Sequence, residues 1–409
     1  MNISKFYVSL LAAVALTACS TDEEVSNKDA LSLDDTPVQI RLSVGRGHQT
    51  RSSIESNDDG LFKLDSLGIF MLATDIQLTN PEEDPIDWGF GSHPYEPSSP
   101  YANPWAVWME NVAANAVLDD ENTPTRTDIL WCDNVIRWYP VGNWYSYRFY
   151  GYYPRVEMDQ IEVTDTRRCV NYTGLDGTKD IIWGTSAGAD MDDSKEKYRY
   201  SGRYFRQSGY AEKNPAIAFE HKMMRLQFCI QGIADENAEV GHKFDAANTM
   251  IIDTIIIERV PTVASLIVAD IDSTLNGKIT YDWVDNLDSL GVIGENDGEF
   301  VKEQIQNDSI IKVGQPILLP VLDADATAAG YMKYRVIIRL KNTSGDKFNH
   351  EKPIDLRMTN TYQPGKSYRV VLQIAGPKQV TVMATLKPWD IDNDTNDPTQ
   401  DSVVPLVFD

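Results

Sequence analysis

Cysteine, histidine, positive charge and long apolar runs are all scarce in this chain, and each shortage excludes something. There are four cysteines, Cys19, Cys132, Cys169 and Cys229, too few for a disulfide framework that could replace a hydrophobic core. The five histidines fall at no metal-ligand spacing, so a metal centre and a bound cofactor are not expected. Lys and Arg number 37 against 61 Asp and Glu, for a net charge of −24. That surface repels nucleic acid, whose phosphates need a basic patch. Beyond the first twenty residues no apolar run is long enough for a transmembrane helix. Helical periodicity is nearly absent; residues 297–306 offer at best a short helical turn.

The start of the chain reads as a targeting segment. Lys5 supplies a positive n-region and residues 6–16 an apolar run too short to remain as a membrane span. Leu16-Thr17-Ala18-Cys19 follows. Small residues before a cysteine suit the narrow pocket of a lipoprotein signal peptidase, so residues 1–18 are expected to be removed and the Cys19 thiol acylated. Ser20-Thr21-Asp22-Glu23-Glu24 is similar to the acidic tag that carries lipoproteins to the outer face in one phylum of Gram-negative anaerobes. Residues 19–36 then read as a solvated acidic tether. The expected location is the cell outer membrane, exposed at the surface and held by the N-terminal lipid. With Cys19 used for lipid, three thiols remain. One pair among them can form a bridge, but no spacing favours any pairing.

The hydrophobic fraction of 42% supports sizeable cores, and the length suggests about two domains. Period-two alternation dominates. Val38, Ile40, Leu42 and Val44 alternate with Gln39, Arg41 and Ser43, which predicts a one-sided strand over 37–46. Residues 67–73 are continuously apolar, and 144–153 aromatic and pleated. Ile217, Phe219 and His221 share one phase; Met224, Leu226, Phe228 and Ile230 take the other, so a bulge is expected near 222–224. Tyr334, Val336, Ile338 and Leu340 form a further face, as do Tyr368, Val370, Leu372 and Ile374 after a Pro364-Gly365 turn. The expectation is an all-β protein of two consecutive antiparallel β-sandwich domains, 37–261 and 262–409. Residues 79–128, rich in Pro, Asp and Asn, read as an insertion in the first. Residues 270–308 read as acidic loop.

At this point the chain resembles the fimbrillin family, the subunits of type V pili. The resemblance lies in the order of weak motifs. Lipobox and tether are followed by the first strand and Thr50-Arg51-Ser52, then Leu67-Gly68-Ile69-Phe70 and Trp138-Tyr139-Pro140. Phe149-Tyr150-Gly151-Tyr152-Tyr153-Pro154, Asp180-Ile181-Ile182-Trp183 and Ala218-Phe219-Glu220-His221 come next, and Pro364-Gly365-Lys366-Ser367-Tyr368 and Lys387-Pro388-Trp389 close the chain. The family implies transthyretin-like sandwiches, no catalysis, and assembly by donor-strand exchange. An Arg-specific protease cuts behind the first strand, the strand leaves with the lipid, and a strand from another subunit, self or paralogue, fills the groove. Carried over, the cut falls at Arg51-Ser52, with Arg46 as second choice; Val38, Ile40, Leu42 and Val44 are the displaced core contacts. The donor segment would be 402–409, presenting Val404, Leu406 and Phe408, unless that segment docks on its own domain. Stalk and tip subunit both remain open, as does an anchor that stays lipidated.

Other chemistry is weaker. Gly184-Thr185-Ser186-Ala187-Gly188 matches a nucleophile elbow by pattern, but the polar, acidic residues after it offer no apolar helical face. Asp390, Asp392, Asp394 and Asp397 loosely resemble a calcium loop without its glycine and terminal glutamate. Seven of the nine tryptophans lie between Trp88 and Trp183. They favour core burial, with a sugar-stacking platform as the alternative. The rival to a fimbrial subunit is therefore a surface lipoprotein that stays tethered and binds a host glycan or protein.

Overall fold

The computed structural model describes residues 38–45, 63–76, 107–120, 122–123, 125–139, 145–186, 200, 202–206, 214–232, 250–294, 300, 310–322, 324–330, 333–342, 347–349, 354–357, 363–376, 379–387 and 402–404. Strands dominate these residues, and helix is limited to short segments such as Gly202–Arg206 and Ala324–Ala328. No helix among the described residues is long and apolar enough to cross a membrane. The protein is all-β.

The first sheet closes on itself. Its seven strands are β1 (Leu42–Val44), β2 (Leu64–Ile76), β3 (Val107–Leu118), β4 (Thr127–Trp131), β5 (Tyr145–Tyr153), β8 (Ile182–Thr185) and β9 (Ala216–His221), in the order β1-β4-β3-β2-β5-β8-β9. The continuous apolar run predicted over 67–73 is β2. Leu67, Ile69 and Met71 are buried on one face, Phe70 and Leu72 on the other, as befits a strand covered on both sides. The aromatic strand is β5, where Tyr147, Phe149, Tyr150 and Tyr152 are buried.

A four-stranded sheet orders β13 (Ile279–Tyr281), β12 (Ala264–Asp270), β7 (Arg167–Tyr172) and β6 (Ile161–Val163). Another holds β14 (Leu287–Gly291), β11 (Met250–Pro261), β17 (Lys333–Asn342) and β18 (Lys347–Asn349), with β19 (Ile354–Arg357) beside β17. The last runs β15 (Ile311–Lys312), β10 (Met224–Gly232), β20 (Ser367–Gly376), β21 (Gln379–Lys387) and β22 (Ser402–Val404), with β16 (Ile317–Leu319) also on β10. Most ladders are antiparallel; β1 with β9 and β10 with β20 are parallel.

Three expectations change. Part of the segment read as an insertion, 79–128, is core strand: β3 lies between β2 and β4, with Met109, Ala114 and Ala116 buried. Its alanines and asparagines hid the alternation, and Asn111, at φ 49°, breaks the phase with a left-handed residue. The acidic 270–308 stretch contributes β13 and β14 to two sheets. The phase switch near residue 222 is not a bulge. His221 ends β9 opposite Ile182 in the barrel, and Met224 starts β10 opposite Leu319 in another sheet. The chain changes sheets there, so the buried face changes too.

Pro261, the expected domain boundary, ends β11 just before β12 begins. Ladders cross that position in sequence, β7 with β12 and β10 with β20.

Candidate functional site

The first strand closes the barrel with partners on both sides. Toward one flank, Ile40 N–H donates to Arg137 O at 2.8 Å and Tyr139 N–H donates to Val38 O at 2.9 Å; Gln39 bridges Trp138. Farther along, Leu42 lies opposite Ile129 and Ser43 opposite Asp128, antiparallel on β4. Toward the other flank β1 runs parallel to β9, with Ser43 N–H donating to Pro215 O at 3.0 Å and Gly45 N–H to Ile217 O at 2.8 Å. Residues 38–45 are therefore a middle strand.

The alternation read from the sequence sets what this strand covers. Ile40 and Leu42 are 1% and 2% exposed, Val38 and Val44 are partly buried against the same core, and Arg41 points to solvent. Two fully buried side chains contribute about 3–6 kcal/mol together, at roughly 1.5–3 kcal/mol each. Four main-chain hydrogen bonds add on the order of 1 kcal/mol apiece. Gly45 permits close approach: a Cβ there would lie 3.3 Å from the Ala216 Cβ.

The flank that receives residues 38–40 is held by its own side chains. Arg137 grips both carboxylate oxygens of Asp133, at 2.9 and 2.7 Å, and its guanidinium lies 4.8 Å from the Trp131 ring centroid. The Arg137 hydrogen bond holds the Asp133 carboxyl well below the usual carboxylate range. Trp108 Nε1 donates to Trp138 O at 2.9 Å. Inside, the Tyr139 ring lies 5.1 Å from Phe205 and 6.3 Å, edge-on, from Phe149, so the residue bonded to Val38 is anchored in the aromatic core. Outside, Leu130, Val135, Ile136 and Trp138 are 46–56% exposed and form an apolar stretch beside the seam.

The remaining sequence candidates are placed as follows. Cys19, Arg46, Arg51, Ser52, Leu406 and Phe408 lie outside the described residues, as do Trp88, Trp105 and the aspartates at 390–397. Val404 belongs to β22, which pairs with β21 through Ala384–Val404, Thr385–Val403 and Leu386–Ser402. Cys132 is exposed, Cys169 and Cys229 are buried, and none of the three forms a disulfide among the described residues. Among the described residues no group of His, Cys, Asp and Glu is arranged to hold a metal. Ser186 is fully buried at the end of β8, and its Oγ accepts from the Phe149 N–H at 2.9 Å. His221 is paired with buried Asp180. Trp183 is buried, its Nε1 donating to Val268 O at 2.9 Å. Sequence reasoning did not single out Arg137, Gly45 or Ala216 for the seam. The predicted strand over 37–46 is itself the seam's closing element, and the Trp138-Tyr139-Pro140 and Ala218-Phe219-Glu220-His221 motifs fall on its two flanks.

No family model matches the chain and no curated protein matches it. Solved structures do. One is named a "putative cell adhesion protein", from Bacteroides uniformis (14% identical, covering 87% of this chain and 98% of that one, TM-score 0.46). Another is a fimbrial protein from Bacteroides vulgatus (11% identical, covering 87% and 100%, TM-score 0.46). A third is the fimbrial anchor protein Mfa2 from Porphyromonas gingivalis (9% identical, covering 87% and 98%, TM-score 0.34). The chain is thus similar to cell adhesion and fimbrial proteins at low identity, and the functional reading rests on the geometry of the seam.

Proposed function

We propose that this chain is a structural subunit, stalk or tip, of a cell-surface fimbria that supports adhesion. In this reading Cys19 carries the lipid that brings the precursor to the outer membrane. An Arg-specific protease cuts after Arg51, or failing that after Arg46. The strand at 38–45 then leaves and a strand from another subunit takes its place.

The observation that supports this most is the position of that strand: it closes a barrel, is bonded on both edges, and buries Ile40 and Leu42. Its departure opens two edges and two side-chain seats at once, and exposed edges recruit strands. The sites of cleavage and lipidation rest on sequence.

The test is direct. Purified full-length chain is treated with an Arg-specific protease and followed by mass and by size. A cut after Arg51, lost in Arg51→Ala, followed by a ladder of oligomers is expected. A chain that resists cutting at both arginines and stays monomeric overturns the reading.

The exposed stretch of Leu130, Val135, Ile136 and Trp138 favours one rival, a permanently tethered lipoprotein that binds a glycan or host protein through this face. Binding of glycans or host proteins by the uncut chain, lost in Trp138→Ala, would establish it.

A further inference from the structure

Between two contacts with the first strand, the chain after β4 makes a detour. Leu42 lies opposite Ile129, and three residues earlier Gln39 bridges Trp138. Residues 131–137 therefore bulge from the barrel wall as a loop, turned at Asn134 with φ 55°. The loop is braced from within. Asn134 N–H donates to Trp131 O at 3.2 Å, Val135 N–H to Asp133 Oδ1 at 3.0 Å, and Arg137 Nη1 to Val135 O at 3.1 Å. Cys132 N–H donates to Ala113 O at 3.1 Å. Val135 and Ile136 stand on this loop, with Leu130 and Trp138 at its two feet, and all four are about half exposed. A rigid loop that holds apolar side chains in solvent marks a contact face.

We propose that this loop is a membrane-contact face. With the lipid on Cys19 in the bilayer, Val135 and Ile136 enter the boundary between headgroups and acyl chains, and Trp138 lies at headgroup level. This rests on the Cys19 lipid of the reading above and adds how the body of the precursor sits on the membrane. A sugar fits the face less well. Sugar hydroxyls need polar groups that converge beside an aromatic ring, and here Asp133 and Arg137 are engaged with each other.

The lipid-bearing tether ends at this face. Residues 20–37 separate Cys19 from Val38, and such a length spans at most roughly 65 Å. Val38 O accepts from the Tyr139 N–H, so the tether arrives one residue from Trp138. An anchor joined there holds the loop near the bilayer at high effective concentration, where a contact too weak to act alone suffices. Local charge also suits a bilayer. The chain carries −24, yet residues 38–45 and 125–139 hold Arg41, Arg126 and Arg137 against Asp128 and Asp133. This wall meets anionic headgroups without the repulsion that the net charge would bring. Main chain that enters an apolar layer must satisfy its own polar groups, and the bonds within the loop do so at Cys132, Asn134 and Val135.

Full-length chain, purified from the membranes of a bacterial host that acylates lipoproteins, is labelled with a polarity-sensitive dye at Cys132, which is exposed while Cys169 and Cys229 are buried. It is reconstituted into vesicles of phosphatidylethanolamine and phosphatidylglycerol. Blue-shifted emission, quenched by spin-labelled acyl chains, is expected. Val135→Asp and Ile136→Asp, both at exposed positions, are each expected to weaken the quenching at least about tenfold while the chain still floats with the vesicles. A chain that floats with an unshifted, unquenched dye overturns the face and leaves the lipid standing. A chain that does not float overturns the lipid at Cys19 and the face with it. Undiminished quenching in both aspartate variants overturns the assignment to this loop. A shift that appears without vesicles and grows with protein concentration gives the face to a second copy, and one that needs added glycan gives it to a sugar; either overturns the proposal.

Discussion

The carboxylate of Glu110 approaches the guanidinium Nε of Arg168 at 2.6 Å, and the arginine side chain is wholly out of solvent. Glu110 sits on β3 of the barrel and Arg168 on β7 of the four-stranded sheet, so this ion pair ties the two together. Arg168 also donates to the carbonyls of Thr164 and Arg167. Burial pushes the guanidinium pKa down and the Glu110 charge opposes it. Removing Glu110 takes away the carboxylate that faces the buried Arg168 charge, with the Thr164 and Arg167 carbonyls among the partners that remain. Glu110→Gln is therefore expected to cost about 3–5 kcal/mol, read as a lower urea midpoint at unchanged m-value. A loss below about 1 kcal/mol would show that the pair holds nothing together.

The closing strand is expected to be graded along its length. Ile40→Ala or Leu42→Ala removes a fully buried side chain and should cost about 2–5 kcal/mol. Val38→Ala and Val44→Ala should cost less, because both residues are only partly buried. After cleavage behind the strand, the Ile40 and Leu42 variants should lose the 38–45 segment faster, measured by mass spectrometry of the size-excluded complex. Equal loss rates in all four variants would mean that main-chain bonds alone hold it.

That gradient shows what could be read before the structure and what could not. Alternation at 38–44 marked which residues face inward, because a half-buried strand writes its two environments into a period of two. It did not mark the partners. Leu42 meets Ile129 and Val44 meets Ile217, and register between segments so far apart depends on the whole closure of the barrel. The same holds for β10 and β20, where Leu226 lies beside Tyr368 in a parallel ladder. β3 was missed for another reason. Alanines pack against the barrel core at Ala114 and Ala116, where space is short, and small side chains give a weak hydrophobic signal. The proposed cut and lipid sites were legible only as motifs.

Ser186 offers a test of whether the chain carries hydrolase chemistry. Its Oγ accepts from the Phe149 N–H, and its own N–H donates to Phe149 O at 2.9 Å. Ser186→Ala should leave a buried donor unsatisfied and cost about 1–3 kcal/mol, with no change in ester hydrolysis beyond background. Measurable turnover in the parent that disappears in a folded Ser186→Ala variant would revive an enzymatic role.

The turn between β3 and β4 should be sensitive to strong acid. The Asp119 carboxylate accepts from Thr125 Oγ1 at 2.6 Å and from the backbone N–H groups of Thr125 and Arg126 at 2.8 and 3.1 Å. These bonds, the Thr125 hydroxyl first, hold its pKa well below the ordinary carboxylate range, while the little burial there opposes them. The sign follows from proton linkage. A folded-state pKa below the unfolded value means that the unfolded chain takes up the proton first. The turn's contribution is thus complete above the unfolded carboxylate value of about 3.9, and fades as pH falls from there through the folded value. Hydrogen exchange at the Thr125 and Arg126 amides should therefore stay protected, relative to intrinsic rates, down to about pH 4 and lose protection below it. Asp119→Asn, which cannot ionise, should show weakened protection with no such pH step. Because β4 carries Ile129, the partner of Leu42, loosening this turn should also speed release of the closing strand in acid. A step of equal size in Asp119→Asn would assign the effect to another group.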